Sequence, residues 1–205
     1  SMKQRILISA IYTSPPDSMW WNTKIVIEMI NNTVDIYTYI ILTSQPKTFY
    51  NNIKHPEKIT IISIDFPYTR NNYKTHLSEI RHVYKIYKLH FTQLQITKND
   101  ICITQSDFAP DVIPIYWLKK KFWFTWLATL FLFIPHPFIN GIKWYFPFFK
   151  YTIYRLYQRI MFFFMKLTAS WFIITNHSDL SYFWKNDKVL PIYGGVNIEQ
   201  LQANS

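Results

Sequence analysis

The sequence predicts an α/β fold in which helices cover both faces of a doubly wound, mostly parallel sheet. Short apolar runs rich in β-branched residues alternate along the chain with longer segments of helical periodicity. This alternation is typical of Rossmann-like sheets. Polar residues follow several of the apolar runs, where strands would end. A chain of 205 residues is long enough to bury a core as one domain.

The first third of the chain predicts three strands and one helix. Arg5–Tyr12 is an apolar strand, and the proline-rich turn after it offers Ser18 as a helix N-cap. Met19–Asn31 has apolar residues at helical spacing. Val34–Leu42 and Lys58–Ile64 are predicted as the second and third strands. We therefore expect a strand–helix–strand unit followed by a further strand.

Lys74–Lys98 is the longest predicted helix. Its apolar side chains recur at helical spacing and predict one face packed on the core. This stripe consists of Leu77, Ile80, Tyr84, Tyr87, Phe91 and Leu94. Arg81, Lys85 and Lys88 form a basic stripe elsewhere on the helix. A solvated helix face accounts for these charges more simply than a binding patch does.

A buried strand over Ile101–Thr104 is predicted to run directly into a helix over Ala109–Lys120. Ser106 and Asp107 lie at the junction. Ligands in open α/β sheets bind just beyond the carboxyl ends of the strands, so the junction is a candidate site. Capping of the helix by Asp107 explains the same carboxylate more simply. Both interpretations stay open on this stretch alone.

The apolar segment Phe122–Asn140 contains no charged residue, which raises the question of a membrane span. Pro135 and Pro137 interrupt the window. The aromatic and β-branched residues before them suit a buried strand over Phe122–Phe133. We therefore predict a strand there and not a transmembrane helix.

The next predicted helix combines a basic face with a broad apolar one, and an aromatic stretch precedes it. Its apolar face consists of Ile153, Leu156, Tyr157, Ile160, Met161 and Phe164. Such a pattern favours contact with an anionic membrane. The residues predicted to make this contact are Lys143, Trp144, Arg155, Arg159 and Lys166. A core-packing helix with a solvated edge explains the same pattern, and both interpretations stay open.

The last predicted elements are strands over Trp171–Thr175 and Val189–Tyr193, with a short helix between them. Asn176 follows the first of these strands, and Gly194 and Gly195 follow the second. Parallel strands end at one edge of a sheet, so these residues should lie near the polar residues that follow the earlier strands.

The composition narrows the classes of function. A net charge of +10 implies an anionic partner, either nucleic acid or a membrane surface. The sequence lacks a nucleic-acid-binding motif, so we expect no nucleic acid partner. Three glycines argue against a glycine-rich phosphate loop. The single cysteine, Cys102, lies in a predicted strand and should be buried and inert. No cysteine and histidine cluster predicts a metal site.

Three short motifs follow one another along the chain. They read SDFAPDVIP at residues 106–114, TNHSD at residues 175–179 and IYGGVN at residues 192–197. In this order and spacing they resemble segments of the N-terminal domain of family-four glycosyltransferases of the GT-B architecture. The resemblance covers nearly the whole chain, but only the N-terminal half of such an enzyme.

This resemblance implies two Rossmann-like domains that face a cleft. The N-terminal domain would hold mainly the acceptor, and the C-terminal domain most of a nucleotide-sugar donor. Transfer in that family retains the anomeric configuration and usually requires no bound metal, so we expect no cofactor. Residues 1–197 would form the N-terminal domain and residues 198–205 the start of a linker or tail. By itself the chain should not catalyse sugar transfer.

The strand ends and the resemblance together predict the site residues. The residues predicted for the acceptor and donor cleft are Ser14, Asp17, Ser106, Asp111, Asn176, Gly194 and Gly195. The candidate catalytic residues are Asp107, because a carboxylate can accept a proton from a sugar hydroxyl, and His136. The family commonly has a histidine at the position of Phe131, a few residues before His136. It also often has a glycine pair where this chain has Ser14–Ser18.

We therefore expect the N-terminal domain of a membrane-associated glycosyltransferase that moves a sugar from a nucleotide sugar to a lipid-linked or glycan acceptor. The expected partners are the nucleotide sugar, the acceptor, an anionic membrane surface and a C-terminal Rossmann-like domain. No signal peptide is recognisable, which predicts a cytoplasmic protein on the cytoplasmic face of a membrane. The alternative is a non-catalytic peripheral membrane protein built on an α/β scaffold.

Overall fold

The chain forms a seven-stranded, all-parallel sheet with helices on both faces. A computed structural model describes residues 3–66, 73–130, 133, 148–175, 177–185 and 187–192. The strands are β1 (Arg5–Ala10), β2 (Thr38–Thr43), β3 (Thr60–Ser63), β4 (Ile101–Thr104), β5 (Thr125–Leu130), β6 (Trp171–Ile174) and β7 (Val189–Pro191). The helices are α1 (Trp21–Thr33), α2 (Pro46–Asn52), α3 (Tyr73–Gln93), α4 (Ala109–Phe122) and α5 (Phe148–Thr168), with 3₁₀ turns at Pro56–Lys58 and His177–Tyr182. The predicted Rossmann-like, doubly wound sheet is confirmed.

The strand order reverses in the middle of the sheet. Across the sheet the order is β3-β2-β1-β4-β5-β6-β7, so the chain builds outward from β1 in one direction and from β4 in the other. Leu7 of β1 pairs with Ile40 of β2 on one side and Cys102 of β4 on the other. The loops after β1 and β4 turn to opposite faces, and in doubly wound sheets ligands bind in the crevice between such loops.

The two faces of the sheet carry separate cores, because successive strand residues point to opposite sides. Ile6 and Ile8 pack with α1 and α2, whereas Leu7 packs with α3, α4 and α5. On the second face α4 packs against both α3 and α5. Trp126 of β5 is fully buried there. Cys102 is buried and free, as predicted, and burial raises the pKa of its thiol.

Several element boundaries differ from the predictions. The second strand begins at Thr38, because α1 continues to Thr33 and a turn follows it. The N-cap of α1 is Trp20 and not Ser18. Sequence analysis assigned no element between the second and third strands, where the short α2 begins with Pro46 at its first turn. Its seven residues are too few to show a clear periodicity.

The predicted apolar stripe of α3 is confirmed except at its first residue. Ile80, Tyr87 and Phe91 are buried, whereas Leu77 is 51% exposed. Val83, which the prediction omitted, is fully buried. The core contact of α3 therefore begins one turn later than predicted.

The predicted strand over Phe122–Phe133 is shorter than expected. Phe122 ends α4, and Trp123 has the left-handed backbone angle φ of 60° that ends the helix. The strand β5 begins only at Thr125. Within the described parts of the chain, no helix is long and apolar enough to cross a membrane.

Candidate ligand site at the carboxyl edge of the sheet

The ends of β1 and β4 lie side by side at the point where the strand order reverses. The backbone N–H of Gln105 donates to the carbonyl oxygen of Ser9 at 2.9 Å and extends the pairing beyond the strands. The ring of Tyr12, after β1, stacks on the ring of Phe108, after β4, with centroids 4.0 Å apart. The two post-strand segments thus form one continuous edge.

Aromatic side chains form a wall along this edge. Tyr12 lies 5.4 Å from Trp20, and Phe108 lies 6.1 Å from Tyr157 of α5, measured between ring centroids. The phenol oxygen of Tyr157 accepts a 2.6 Å hydrogen bond from the backbone N–H of Ala109, the first residue of α4. Binding sites for small molecules are commonly lined by aromatic rings with a few polar groups among them, and this edge has that composition.

Asp111 is the buried centre of the edge. It is fully buried, and its carboxylate accepts hydrogen bonds from the backbone N–H groups of Ile11 at 2.6 Å and Tyr12 at 3.3 Å. The hydroxyl of Ser106 donates to it at 2.5 Å and that of Ser9 at 3.2 Å. Asp111 therefore joins the first turn of α4 to the loop after β1 and fixes the shape of the crevice.

The stability of the fold should depend on pH through Asp111. Burial raises the pKa of this carboxyl to about 7 from its ordinary value of 3.8. The folded state therefore binds the proton more tightly than the unfolded state. The resulting stabilisation of the fold is full below about pH 4 and is lost as pH rises to about 7. We compare the unfolding free energy of the wild type with that of Asp111→Asn. The wild-type value minus the variant value should fall as pH rises across this range. A flat difference, measured by urea unfolding at several pH values, would contradict this expectation.

Asp107 lies at the same edge, after β4. Its side chain is half-buried and accepts a 2.7 Å hydrogen bond from Nε2 of Gln158 in α5. Burial raises the pKa of the Asp107 carboxyl. The capping interpretation of Asp107 is wrong, because the N-cap of α4 is Phe108. Asp107 is thus held in place by α5.

A polar cluster lies beside this edge, between the loop after β1 and the start of α1. Nε2 of Gln105 donates to the hydroxyl oxygens of Thr13 at 2.9 Å and Thr23 at 2.8 Å. The backbone N–H of Ser14 donates to the same Thr23 oxygen at 3.3 Å. Oγ of Ser14 and Oε1 of Gln105 are buried without a hydrogen-bond partner among the described residues. Buried polar groups are normally satisfied, so these two oxygens mark a place for a further polar group.

The predicted cleft residues lie at different depths. Ser14 and Asp111 are fully buried and Ser106 is 2% exposed, so they support the edge from below and do not line its surface. Asp17 is exposed, in the turn before α1. His136, Asn176, Gly194 and Gly195, like the boundary at residue 197, lie outside the described residues. In the part of the chain that the structure describes, no group of three or more potential ligand residues is arranged to hold a metal ion.

The basic residues predicted for membrane contact are turned towards the protein in α5. The guanidinium of Arg159 lies over the rings of Phe133 and Tyr182, 5.1 and 4.2 Å from their centroids. Lys166 pairs with Asp187 at 2.9 Å, and its side chain is 18% exposed. These two residues therefore do not form the solvated edge of the core-packing interpretation. Their contact with a membrane, and that of Arg155, stays a prediction.

The outward face of α5 is apolar. Its exposed side chains recur at intervals of three and four residues and form one row along the helix. This apolar row consists of Ile153 (40% exposed), Leu156 (61%), Ile160 (45%), Phe163 (59%) and Leu167 (54%). A long exposed apolar row is unusual on a monomeric protein. Lys143 and Trp144 lie outside the described residues.

Sequence reasoning missed most of the aromatic wall. Tyr12 and Phe108 follow the two strands that flank the reversal, and their positions after strand ends were a usable signal. Tyr157 and Gln158 reach the edge from α5, about 50 positions along the chain. No local pattern predicts such a contact.

Comparisons with known proteins define the fold. Searches against models of protein families and against curated protein sequences found no match. Among solved structures, the chain is similar to UGT89C1 of Arabidopsis thaliana, solved in complex with UDP. That alignment has a TM-score of 0.54 and 9% sequence identity, and it covers 98% of this chain but 56% of the plant protein. The chain thus spans about half the length of that structure.

A second structure is similar over a smaller part of the chain. It is the ADP-L-glycero-D-manno-heptose-6-epimerase of Helicobacter pylori, with a TM-score of 0.45, 10% identity, and coverage of 84% of this chain and 54% of the epimerase. A TM-score below 0.5 does not by itself establish a common fold. The similarity to UGT89C1 and the observed topology together show a Rossmann-like fold that matches about half of that structure.

Proposed function

We propose that the chain is the acceptor-side half of a membrane-associated, retaining glycosyltransferase of the GT-B type, which moves a sugar from a nucleotide sugar to a lipid-linked or glycan acceptor. The observation that carries this proposal is the strand-order reversal, where Asp107 lies beside an aromatic wall. Ligands of doubly wound sheets bind at this position. The similarity to half of UGT89C1, a protein solved with UDP, adds support.

In this proposal Asp107 orients the acceptor hydroxyl. Its carboxylate has one oxygen held by Gln158 at 2.7 Å, which leaves the other to accept a hydrogen bond from the sugar. A pKa raised by burial brings the group closer to neutral pH, where a carboxylate is a more effective base. The rings of Tyr12 and Phe108 would contact the apolar face of the acceptor, and Asp111 would hold the edge in shape. No bound metal is required.

The donor would be bound mainly by a second Rossmann-like domain. The chain alone would therefore not catalyse transfer. The exposed oxygens of the crevice would face that domain. The unpaired oxygens of Ser14 and Gln105 would lie close to the shared cleft, where a small shift of the loop after β1 exposes them to a hydroxyl group.

The membrane part of the proposal rests on the apolar row of α5. Exposed apolar residues of a helix bury themselves at the boundary between headgroups and acyl chains. A formal charge of +10 adds attraction to anionic lipids. The same row would serve the alternative function, a non-catalytic peripheral membrane protein, so membrane binding alone does not distinguish the two.

Transfer by the product of the full natural gene tests this function. We expect it to move label from one member of a panel of radiolabelled nucleotide sugars to lipid or glycan extracted from the source cells, with retention of configuration. Asp107→Asn should lower kcat by about a hundredfold or more. The control Asp35→Asn changes an exposed carboxylate whose partner is Lys58, remote from the crevice, and should leave kcat unchanged. Absence of transfer from every donor would favour the non-catalytic alternative.

A further inference from the structure

We propose that the groove between α3 and α4 binds the phosphate of an anionic lipid headgroup, at a site separate from the carboxyl edge. The groove has a volume of about 610 Å³, and its lining combines cations with aromatic rings. The lining residues are Arg81, Tyr84, Lys85 and Lys88 of α3 and Trp117 and Lys120 of α4. The basic stripe that sequence analysis assigned to a solvated face thus forms one wall of a concave surface.

The spacing of the basic residues brings their side chains together at the groove. Arg81, Lys85 and Lys88 recur at intervals of four and three residues, so they lie on one side of α3. Lys120 approaches from α4 and completes the set. All four side chains are exposed, so they are accessible to a ligand.

In the described part of the chain, no acidic side chain pairs with the cations of the groove. The acidic residues of the two helices are Glu79, which precedes the groove on α3, and Asp111, which is fully buried. Clustered Arg and Lys side chains without acidic partners favour a phosphate group, which accepts several charge-assisted hydrogen bonds at once.

The aromatic residues give the groove a defined floor. The rings of Tyr84 and Trp117 meet edge to face at 5.3 Å and join α3 to α4 beneath the cations. The ammonium of Lys120 lies 4.5 Å from the ring centroid of Tyr116, which holds this flexible side chain over α4. Half-buried Trp and Tyr side chains also suit the membrane–water interface, where one end is apolar and the other wet.

A membrane lipid fits this groove better than a soluble anion, because exposed apolar residues surround it. Leu77 and Leu89 of α3, which flank the cations along the helix, are 51% and 57% exposed. Trp123, just beyond α4, is 74% exposed. Because α4 packs against both α3 and α5, the groove and the apolar row belong to one helix layer. That layer carries both exposed cations and exposed apolar side chains.

The groove is distinct from the proposed catalytic edge. Helix α4 begins at the carboxyl edge with Ala109, and Lys120 lies eleven residues further along it, about 16 Å at the helical rise. A lipid headgroup in the groove therefore does not occupy the crevice. It would instead fix the orientation of the domain on the membrane surface.

This inference rests on the membrane association of the proposed function, and vesicle co-sedimentation tests both. The probes are phosphatidylcholine vesicles with and without phosphatidylglycerol. Lys85→Glu/Lys88→Glu should lower affinity for the phosphatidylglycerol vesicles by about 30-fold, since each cation near an anionic surface contributes substantially. Lys47→Glu/Lys54→Glu makes the same charge change at exposed positions in α2 and just after it, and should lower affinity much less.

A second variant separates a site from general charge. Trp117→Ala keeps every charge but removes part of the groove floor, and we expect it also to weaken binding to phosphatidylglycerol vesicles. An equal loss of affinity in both double charge variants would contradict binding in the groove but not membrane association. Failure of the wild type to bind any vesicle would overturn both. Displacement from vesicles by a small amount of inorganic pyrophosphate would show a soluble anion as the occupant and overturn the lipid assignment.

Discussion

Asp111→Ala should destabilise the fold by about 3 to 5 kcal/mol, because it removes the acceptor of several buried donors at once. The N–H groups of Ile11 and Tyr12 would lose their carboxylate, and so would the hydroxyl of Ser106. Each unsatisfied buried donor costs about 1 to 3 kcal/mol. Urea unfolding followed by circular dichroism measures the change, with the unfolding free energy obtained by linear extrapolation.

Asp35→Ala is the control for this prediction. Asp35 pairs with Lys58 at 2.8 Å, and its side chain is 78% exposed. Exposed ion pairs contribute little to stability, because water and salt screen them, so this variant should be close to wild type. If Asp111→Ala lost no more stability than Asp35→Ala, the central position of Asp111 in the edge would be contradicted.

Leu156→Glu/Phe163→Glu should reduce affinity for anionic vesicles by on the order of a hundredfold or more. Burial of each apolar side chain contributes about 1.5 to 3 kcal/mol, and a carboxylate in its place is repelled by the lipid surface. Both side chains are about 60% exposed (61% and 59%), so the fold should survive the change. Vesicle co-sedimentation measures the affinity, and circular dichroism checks the fold.

The matched control for the apolar row is Ile36→Glu/Tyr50→Glu. Ile36 is 60% exposed and Tyr50 is 50% exposed, in the turn after α1 and in α2. This variant also replaces two exposed apolar residues with two carboxylates, but away from the α3–α5 layer. Retained binding would assign the contact to α5, whereas an equal loss would show that any such pair weakens binding through charge alone.

The fold was predictable because its signals are local. Alternating apolar runs and helical periodicities depend on neighbouring residues, and they identified every strand of the sheet. The burial of the residues that follow β4 was not predictable. Asp111 resembles an ordinary acidic residue in a first helical turn, and its burial depends on the loop after β1, about 100 positions away. Asp107 resembles a cap, yet its partner is Gln158 of α5.

Helix α5 shows where periodicity stops being informative. The spacing correctly separated cations from apolar residues, but it does not say which side faces the protein. Arg159 and Lys166 pack on aromatic rings contributed by other elements, while Leu156 and Phe163 point outward. Cation–aromatic contacts hold the long basic side chains against the fold. The inner and outer sides are therefore exchanged in part relative to the core-packing interpretation.

Mapping a ligand onto the chain tests the central claim most directly. Amide NMR spectra of the 205-residue chain can be recorded during titration with a panel of nucleotide sugars and with a lipid-extracted acceptor fraction in detergent. The proposed function predicts shifts for Tyr12, Gln105, Asp107 and Phe108 with the acceptor fraction, and their loss in Asp107→Asn. Shifts confined to the α3–α4 groove, or none at the carboxyl edge with any ligand, would contradict it.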